Sequence, residues 1–479
     1  MNRSLITFYG GAGTVTGANF LLEIYHVSEG PRRGVKVESS LEGDAFSNGT
    51  VSRKILIDCG IHERETLSDP QNYNEFPYDP KSIDDLVVTH AHADHIGRVP
   101  KLVRDGFKGV IHSTPATKDL STIMFEDALA IMSDDSKKQG GKEMLYEKED
   151  VERALSLWRG HEYHELFSAG DTEIEFLDAG HILGSAMASF KRAGRTTVFT
   201  GDLGNSPEPL LNDTESVEKA NYLVMESVYG DRVHEGRETR KERLRQAIEE
   251  IRLGKGILLI PSFSLERTQI LLFELNEMVE SGSMRKIPIY LDAPLAIRIT
   301  EVYRKYSNLL NPAAREHFTK GDDPFSFPGL TLTVKVNESD AIRKMPNPKV
   351  IIAGAGMSHG GRIREHEREY LGDGNATILF VGYQAPGSLG RRIEDGEKRV
   401  EIDGERVRIR ARIQSLTGYS GHRDRDGLLD FAANIKSIEK IFVTMGEPRS
   451  SLFLAQRLRD FVGIDAVVPE SGQPFEIDL

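Results

Sequence analysis

The segment His90-Ala-His92-Ala-Asp94-His95 is the feature of this sequence that most restricts its fold. It directly follows a short apolar run, residues 86–89, which is typical of a buried strand. Three imidazoles and a carboxylate are costly to place at a strand end unless something binds them, and both groups are usual ligands of Zn²⁺. In an extended chain His90 and His92 lie on the same side, and a following helical turn lets Asp94 and His95 face a second ion. A polar loop with surface histidines is the alternative interpretation.

Two later strand ends add one histidine and one carboxylate. Asp178-Ala-Gly-His181 follows a predicted strand, and its glycine lets the backbone turn so that His181 points back to the strand ends. Thr200-Gly-Asp202 repeats this arrangement with a carboxylate, and we expect Asp202 to bridge two ions. The predicted metal ligands are His90, His92, Asp94, His95, His181 and Asp202.

The organisation of the chain predicts two domains in an α/β protein. Short β-branched runs predict strands at residues 5–9, 20–25, 54–57, 86–89, 110–112, 173–177, 196–200 and 222–225. After about residue 231 helices and strands alternate, which is typical of a parallel α/β unit. Near residue 400 the strands alternate again, and Asp403-Gly404 predicts a hairpin turn. We therefore predict one domain from residues 1–230 plus 400–479 and an inserted domain from residues 231–399.

Composition restricts the location and the partners of the protein. No apolar run approaches the roughly 18–20 residues of a membrane span, and the first residues lack the apolar region of a signal peptide. The single cysteine, Cys59, excludes an intrachain disulfide and fits a reducing compartment. We predict a cytoplasmic protein without membrane association. The net charge of -13 argues against a general nucleic-acid binder but permits a local basic groove.

The order of these motifs resembles a known family. Asp58, the His90–His95 segment, His181 and Asp202 resemble the successive motifs of the metallo-β-lactamase superfamily. Segments 225–230, 261–269, 355–362, 382–392 and 420–422 resemble motifs of its β-CASP branch, which contains nucleases that process nucleic acids. The resemblance implies an αββα sandwich with an inserted parallel β-CASP domain. It also implies a zinc-dependent phosphodiesterase that cleaves single-stranded RNA, as an endo- or exoribonuclease, in RNA processing or decay, and it is compatible with a homodimer.

The resemblance also implies roles for individual residues. The candidate catalytic residues are Asp58, Asp94, Glu226 and His422. Asp58 would orient the ligand histidines, and His422 would act as a general acid that Glu226 keeps protonated. The candidate substrate contacts are Tyr229, Arg267, Arg391 and Ser420. Arg267 opens a predicted helix, where the helix N-terminus and the guanidinium could take a phosphate together. A surface or capping role is the alternative for Glu226, His422 and Arg267.

One position departs from the family pattern. The family's last motif contains a histidine that completes the second metal site, whereas this chain has Met445, and no histidine follows His422. Methionine is a soft ligand that suits Cu(I) better than Zn²⁺. Three interpretations stay open: solvent fills the position, one metal or a different second metal suffices, or the protein is a weakened member that binds RNA without cutting. A metallo-hydrolase acting on another substrate is a further alternative, and the inserted domain argues against it.

The remaining features of the sequence do not point to a further site. The glycines of residues 10–17 have the spacing GxGxxxG and precede a strand, which argues against a dinucleotide site and favours a turn beside the metal cleft. Residues 30–53 are polar and predict a long loop or an extended hairpin. Arg408, Arg410 and Arg412 alternate with apolar residues and predict one face of a strand. The histidines predicted to be ordinary surface residues are His161, His164, His234, His317 and His366, of which His234 is also a weak candidate for substrate contact.

Overall fold

A computed structural model describes residues 3–26, 50–62, 69–138, 140–385 and 387–479. The strands are β1 (Arg3–Gly10), β2 (Asn19–His26), β3 (Thr50–Ile57), β4 (Asp85–Val87), β5 (Val110–Ser113), β6 (Trp158–Gly160), β7 (Phe167–Ala169), β8 (Thr172–Asp178), β9 (Ala186–Arg192), β10 (Arg195–Phe199), β11 (Tyr222–Glu226), β12 (Ile257–Pro261), β13 (Ile289–Asp292), β14 (Leu330–Leu332), β15 (Lys349–Ala353), β16 (Ala376–Phe380), β17 (Arg399–Ile402), β18 (Glu405–Arg408), β19 (Arg412–Ser415), β20 (Lys440–Thr444), β21 (Ala466–Val467) and β22 (Pro474–Asp478). The helices are α1 (Pro70–Tyr73), α2 (Ala93–Ile96), α3 (Val99–Arg104), α4 (Pro115–Lys138), α5 (Lys148–Ser156), α6 (Arg237–Gly254), α7 (Arg267–Glu280), α8 (Pro294–Lys305), α9 (Pro312–Thr319), α10 (Val336–Ile342), α11 (Ile363–Tyr370), α12 (Leu389–Glu394), α13 (Arg425–Ala433) and α14 (Pro448–Arg457).

Two 7-stranded sheets stack face to face. The first has the order β22-β1-β2-β3-β4-β5-β6, and the second has the order β21-β20-β11-β10-β9-β8-β7. Aromatic side chains from both inner faces share one core, in which Phe8 packs on Phe442 and Phe20 packs on Phe199. Helices α3, α4 and α5 cover the outer face of the first sheet, and α13 and α14 cover that of the second. The predicted αββα sandwich is confirmed.

The segment between β11 and the returning chain builds a third sheet. Its order is β14-β13-β15-β12-β16-β19, and every neighbouring pair is parallel. Helices α6 and α7 pack on one face, and α11 and α12 pack on the other, so both faces are buried, as expected for a parallel sheet. This arrangement is the inserted parallel α/β domain that the alternating pattern predicted.

The end of the insert differs from the sequence expectation. The strands β17 and β18 form an antiparallel hairpin around Asp403 and Gly404, as predicted. The sequence placed the end of the insert at residue 399, but β19 pairs with β16, so the third sheet extends to Ser415. The single strand predicted through Arg408, Arg410 and Arg412 is wrong. Its middle leaves the hairpin because the amides of Arg410 and Ala411 both donate to the carbonyl of Leu371.

Two further expectations concern residues 30–53 and membrane association. Of the predicted loop 30–53, residues 30–49 lie outside the described residues, and residues 50–53 belong to β3 and pair with β2. Within the described ranges, no helix has both the length and the apolar character that crossing a bilayer requires.

Candidate active site

Several predicted site residues lie at the carboxyl ends of strands. β8, β10, β11 and β20 share a direction in the second sheet, and their ends lead into His181, Asp202, Glu226 and Met445. β4 of the first sheet ends shortly before His90. The repeated pattern of strand, tight turn and single polar side chain therefore gathers these residues at one edge of the sandwich.

His90, His92, His181 and Asp202 form one compact cluster. A ligand atom of each lies within 4.8 Å of the others. The Nδ1 of His92 is 3.1 Å from Nε2 of His90 and 3.2 Å from Nε2 of His181. The Oδ2 of Asp202 is 3.4 Å from Nε2 of His90 and 3.5 Å from Nε2 of His181. Three imidazole nitrogens and one carboxylate oxygen thus converge, as the ligands of a single cation do.

The protonation of this cluster suits metal binding. Burial lowers the pKa of His90, His92 and His181, and neighbouring imidazoles lower it further. Burial alone would raise the pKa of Asp202, but the imidazoles of His95 and His90 hold it well below its usual range. Neutral imidazoles around an ionised carboxylate are the forms in which these side chains bind a metal.

Asp58 orients His95 toward the cluster. Its Oδ1 accepts from the amide of Thr89 at 2.8 Å, and its Oδ2 accepts from Nδ1 of His95 at 2.7 Å. The opposite ring nitrogen, Nε2, then faces Oδ1 of Asp202 at 3.4 Å. Both of these atoms are buried and have no hydrogen-bond partner among the described residues. Two unpartnered metal-ligating atoms that face each other fit a cation between them, so the residues present suit the metal that such a cluster implies.

The Asp94 side of the site is less compact than the first cluster. The Oδ2 of Asp94 lies 4.0 Å from Nε2 of His95. Among the residues that the structure describes, Asp94, His95 and Asp202 do not converge within 4.8 Å as a set of three. The second predicted position thus has candidate ligands, but they are more widely separated.

Met445 lies at the end of β20, where the family pattern has a histidine. Its amide donates to the carbonyl of Gly11 at 2.6 Å, and its buried side chain belongs to the inner core together with Phe20. Gly11 has a φ of 66°, and a Cβ there would lie 2.5 Å from the sulfur of Met445. The glycine turn and the methionine therefore fit each other sterically, and the thioether is packed as an apolar group.

Glu226 and His422 form a hydrogen-bonded pair beside Asp202. The Nδ1 of His422 lies 3.2 Å from Oε2 of Glu226 and 3.8 Å from Oδ2 of Asp202, while Oε1 of Glu226 accepts from the amide of Leu203 at 2.6 Å. Burial alone would lower the pKa of His422, but the carboxylates of Glu226 and Asp202 raise it to about 9. The imidazole therefore carries a proton at neutral pH. Its side chain is 25% exposed, so a substrate can reach it.

Tyr229 and Arg267, two predicted substrate contacts, lie close to this pair. The Tyr229 ring is 6.1 Å from the His422 ring, centroid to centroid. A Cβ at Gly421 would lie 3.3 Å from Nη2 of Arg267 and 3.4 Å from Cε1 of His181, so the missing side chain lets the guanidinium approach the cluster. The Nε and Nη1 of Arg267 are buried without a hydrogen-bond partner among the described residues.

Ser420 and Arg391, the other two candidates, have local contacts. The hydroxyl of Ser420 accepts from the amide of His422 at 3.3 Å, and its carbonyl accepts from Nδ2 of Asn205 at 3.1 Å. Arg391 lies on α12 and forms an ion pair with Asp395 at 2.9 Å. Ser420 therefore shapes the turn that holds His422, and the contacts of Arg391 are those of a solvated helix.

The sequence analysis missed one contributor to the site and gave another only as a weak candidate. The carbonyl of Gly421 accepts from Nδ1 of His181 at 2.9 Å and fixes the ring of that ligand. His234 donates from Nε2 to the carbonyl of His422 at 3.0 Å and packs on Tyr229, so it is part of the site's surroundings and not an ordinary surface residue. A main-chain acceptor cannot be recognised from residue type, whereas the position of His234 shortly after Glu226 made it a weak candidate for substrate contact.

His366 was predicted to be a surface residue, and this is wrong. It is fully buried, and its Nε2 lies 2.7 Å from Oδ2 of Asp292 in the inserted domain. The polar sequence around it suggested solvent, but the carboxylate at the end of β13 satisfies the imidazole inside the fold.

The fold and the site together define a class of protein, one that holds metal at the edge of a two-sheet sandwich. Three family models match the chain: "Metallo-beta-lactamase superfamily" over residues 49–256, "Beta-Casp domain" over residues 268–393, and "Zn-dependent metallo-hydrolase RNA specificity domain" over residues 406–469. The chain belongs to the metallo-β-lactamase superfamily, in the group of proteins with an inserted β-CASP domain.

Curated relatives match most of the chain. Ribonuclease TTHA0252 of Thermus thermophilus is 37% identical over 407 residues, which cover 85% of this chain and 90% of that protein. An RNase J-like protein of Methanocaldococcus jannaschii is 30% identical over 88% of this chain and 94% of its own length. Transcription termination factor FttA of Methanosarcina mazei is 31% identical over 86% of this chain but only 66% of its own length.

A solved structure agrees with the fold. The crystal structure of a protein of unknown function from Enterococcus faecalis V583 matches with a TM-score of 0.51 and 11% sequence identity, over 99% of this chain and 100% of that one. At this identity the likeness concerns the fold alone.

Proposed function

We propose that this protein is a zinc-dependent phosphodiesterase that cleaves single-stranded RNA. The observation that carries the proposal is the placement of the His422–Glu226 pair beside Asp202, which itself belongs to the cluster with His90 and His181. A proton donor and a metal-binding cluster that share one carboxylate suit the hydrolysis of a phosphodiester. Relatives named as ribonucleases, and the match to an RNA specificity domain, support RNA as the substrate.

Different residues would bind the metals, donate the proton and bind the phosphate. His90, His92, His181 and Asp202 would hold the first metal, and Asp94, His95 and Asp202 would hold a second. Bound zinc supplies positive charge that stabilises the negative charge developing on the phosphate. A water molecule attacks the phosphorus and releases a proton to solvent. As the bond from phosphorus to the leaving oxygen breaks, His422 donates its proton to that oxygen, and Glu226 keeps the ring oriented and protonated. Arg267, whose buried Nε and Nη1 have no hydrogen-bond partner in the described part of the chain, takes a phosphate oxygen.

Two other functions are less well supported. A weakened RNA-binding protein is motivated by Met445, but the proton donor and the first cluster are complete. A hydrolase of a small ester gives no role to the unpartnered Arg267 beside His181. The proposed function is tested with purified protein on 5′-labelled single-stranded RNA, with zinc or manganese and with chelator. Cleavage that depends on metal supports it, and binding without cleavage in both metals contradicts it.

Replacing Asp58 by asparagine should weaken metal binding and activity together. The amide has one oxygen and cannot accept from both Thr89 and His95 as the carboxylate does. Loss of such an orienting contact costs about 10–100-fold in metal affinity or activity. Metal titration of the metal-depleted protein measures the change. An unchanged affinity in Asp58→Asn would contradict the orienting role.

Replacing Met445 by histidine should increase the metal content of the purified protein. Methionine offers Zn²⁺ only a weak ligand, whereas an imidazole at the end of β20 would join Asp94 and His95. We expect the ratio of metal to protein to rise in Met445→His and not in Met445→Leu, which preserves the apolar packing. Mass spectrometry of the metals gives the ratio. Equal ratios in the histidine, leucine and unmodified proteins would contradict a deficient second position.

A further inference from the structure

A buried network of charges joins the inserted domain to the sandwich. Arg240 of α6 is 1% exposed, and its guanidinium donates to Glu208 at 3.1 and 3.3 Å and to Glu274 at 3.3 Å. It also donates to the carbonyl of Gly418 and lies 4.6 Å from the centroid of the Tyr419 ring. One side chain thus connects a sandwich loop, helix α7 and the segment that returns from the insert.

The two carboxylates of this network are fully engaged. Glu208 receives two hydrogen bonds from Arg240. Glu274 receives one from Arg240 and one from the hydroxyl of Tyr419 at 2.5 Å. Because the forked geometry of a guanidinium matches a carboxylate, these contacts hold both negative charges at Arg240.

Arg267 lies near the same network, and its Nε and Nη1 have no hydrogen-bond partner among the residues that the structure describes. Arg267 and Glu274 are seven residues apart on α7, so they lie on the same face of this helix, the face that meets Arg240. Burial lowers the pKa of Arg267, and the charge of Glu208 opposes this. The adjacent Glu266 accepts from the Tyr303 hydroxyl, and burial raises its pKa to about 8, so it is uncharged at neutral pH. Burying a guanidinium without an anion costs free energy, so binding of an anion is favoured at this position.

We propose that Arg240 is a positioning residue for the reaction, because it retains Glu208 and so keeps Arg267 available to a phosphate oxygen of the substrate. This inference rests on the proposed function. Arg240 touches no reacting atom; it acts by occupying the carboxylate that would otherwise pair with Arg267. If Glu208 were released, it would neutralise the guanidinium beside His181 and repel the phosphate.

A purely structural role for Arg240 makes a different prediction. If Arg240 only connects the two domains, then removing a second member of the network can only loosen the junction further. If Arg240 restrains Glu208, then removing the charge of Glu208 repairs the loss of Arg240. The double variant Arg240→Met/Glu208→Gln therefore separates the two roles.

The experiment compares kcat/KM on single-stranded RNA for the unmodified protein, Arg240→Met, Glu208→Gln and the double variant. We expect Arg240→Met to lower kcat/KM by about 10²-fold, the usual effect of losing one oriented charge contact to the transition state. The double variant should recover at least about tenfold of this loss. Metal content should equal that of the unmodified protein throughout. Arg243→Met is the matched control, since Arg243 lies on the same helix but pairs with Glu235 at the surface.

The results distinguish a failure of the proposed function from a failure of the role of Arg240. Failure of the unmodified protein to cleave RNA contradicts the proposed function. Cleavage by the unmodified protein, with a double variant no more active than Arg240→Met, overturns the role of Arg240 alone. If Arg240→Met does not fold by thermal melting, the same comparison is made with Arg240→Gln, whose amide can still donate to the carbonyl of Gly418 but has no charge that would hold Glu208. Recovery upon Glu208→Gln is again expected, and its absence contradicts the inference.

Discussion

Replacing Asp202 by asparagine should nearly abolish RNA cleavage and lower the bound metal at the same time. The carboxylate lies 3.4–3.5 Å from ring nitrogens of His90, His95 and His181. Asparagine has the same size but lacks the charge that balances a cation. We expect kcat/KM to fall by at least about 10³-fold, the upper end of the cost of losing one preorganised electrostatic group. Metal analysis and cleavage of labelled RNA measure the two effects on one preparation.

The control for this substitution is Asp426→Asn, because Asp426 is an exposed carboxylate that pairs only locally with Arg425 at 2.7 Å. It should retain both metal and activity. His92→Ala should behave as Asp202→Asn does, since His92 belongs to the same cluster. Retention of full metal content and cleavage in either cluster variant would show that these residues are not the metal centre.

Replacing His422 by alanine should remove activity while leaving the metal in place. The imidazole is held by Glu226 at 3.2 Å and is protonated at neutral pH, with a pKa of about 9. Loss of a positioned general acid costs about 10²–10⁴-fold in rate. We therefore expect kcat to fall within this range, at an unchanged ratio of metal to protein.

A modified substrate distinguishes proton donation from a structural role for His422. RNA in which sulfur replaces the leaving oxygen needs no proton donor, because a thiolate leaves readily. His422→Ala should cleave this substrate at nearly the rate of the unmodified protein. His164→Ala, which alters an exposed histidine of the sandwich, should be normal on both substrates. A defect of equal size on the oxygen and sulfur substrates would argue against general acid catalysis.

The candidate metal ligands were predictable because each is encoded locally. A strand, a tight turn and one polar side chain place His181 and Asp202 without reference to the rest of the chain. Since the strands β8, β10 and β11 share a direction, their ends meet at one edge. The His422–Glu226 contact joins residues from distant segments, and the family resemblance, not the spacing, pointed to it.

The remaining features depend on contacts that no local pattern encodes. Arg240 contacts Glu208 and Gly418 across the junction of two domains, and nothing in its helical surroundings distinguishes it from Arg243. His366 stands in a polar sequence but is buried, because the carboxylate of Asp292 accepts a hydrogen bond from its ring. β19 resembles the strands of the sandwich but pairs with the inserted sheet.

The order of the site residues along the chain restricts when the site can form during synthesis. The first metal cluster is encoded between His90 and Asp202, before the inserted domain begins. His422 follows the insert, and its neighbour Gly421 supplies the carbonyl that fixes His181. The strands β20, β21 and β22, which complete both sheets of the sandwich, also follow the insert. Because a domain folds as a unit, the candidate ligands are not held together before these strands are made. A ribosome-bound chain that stops short of residue 420 should therefore neither take up metal nor cut RNA.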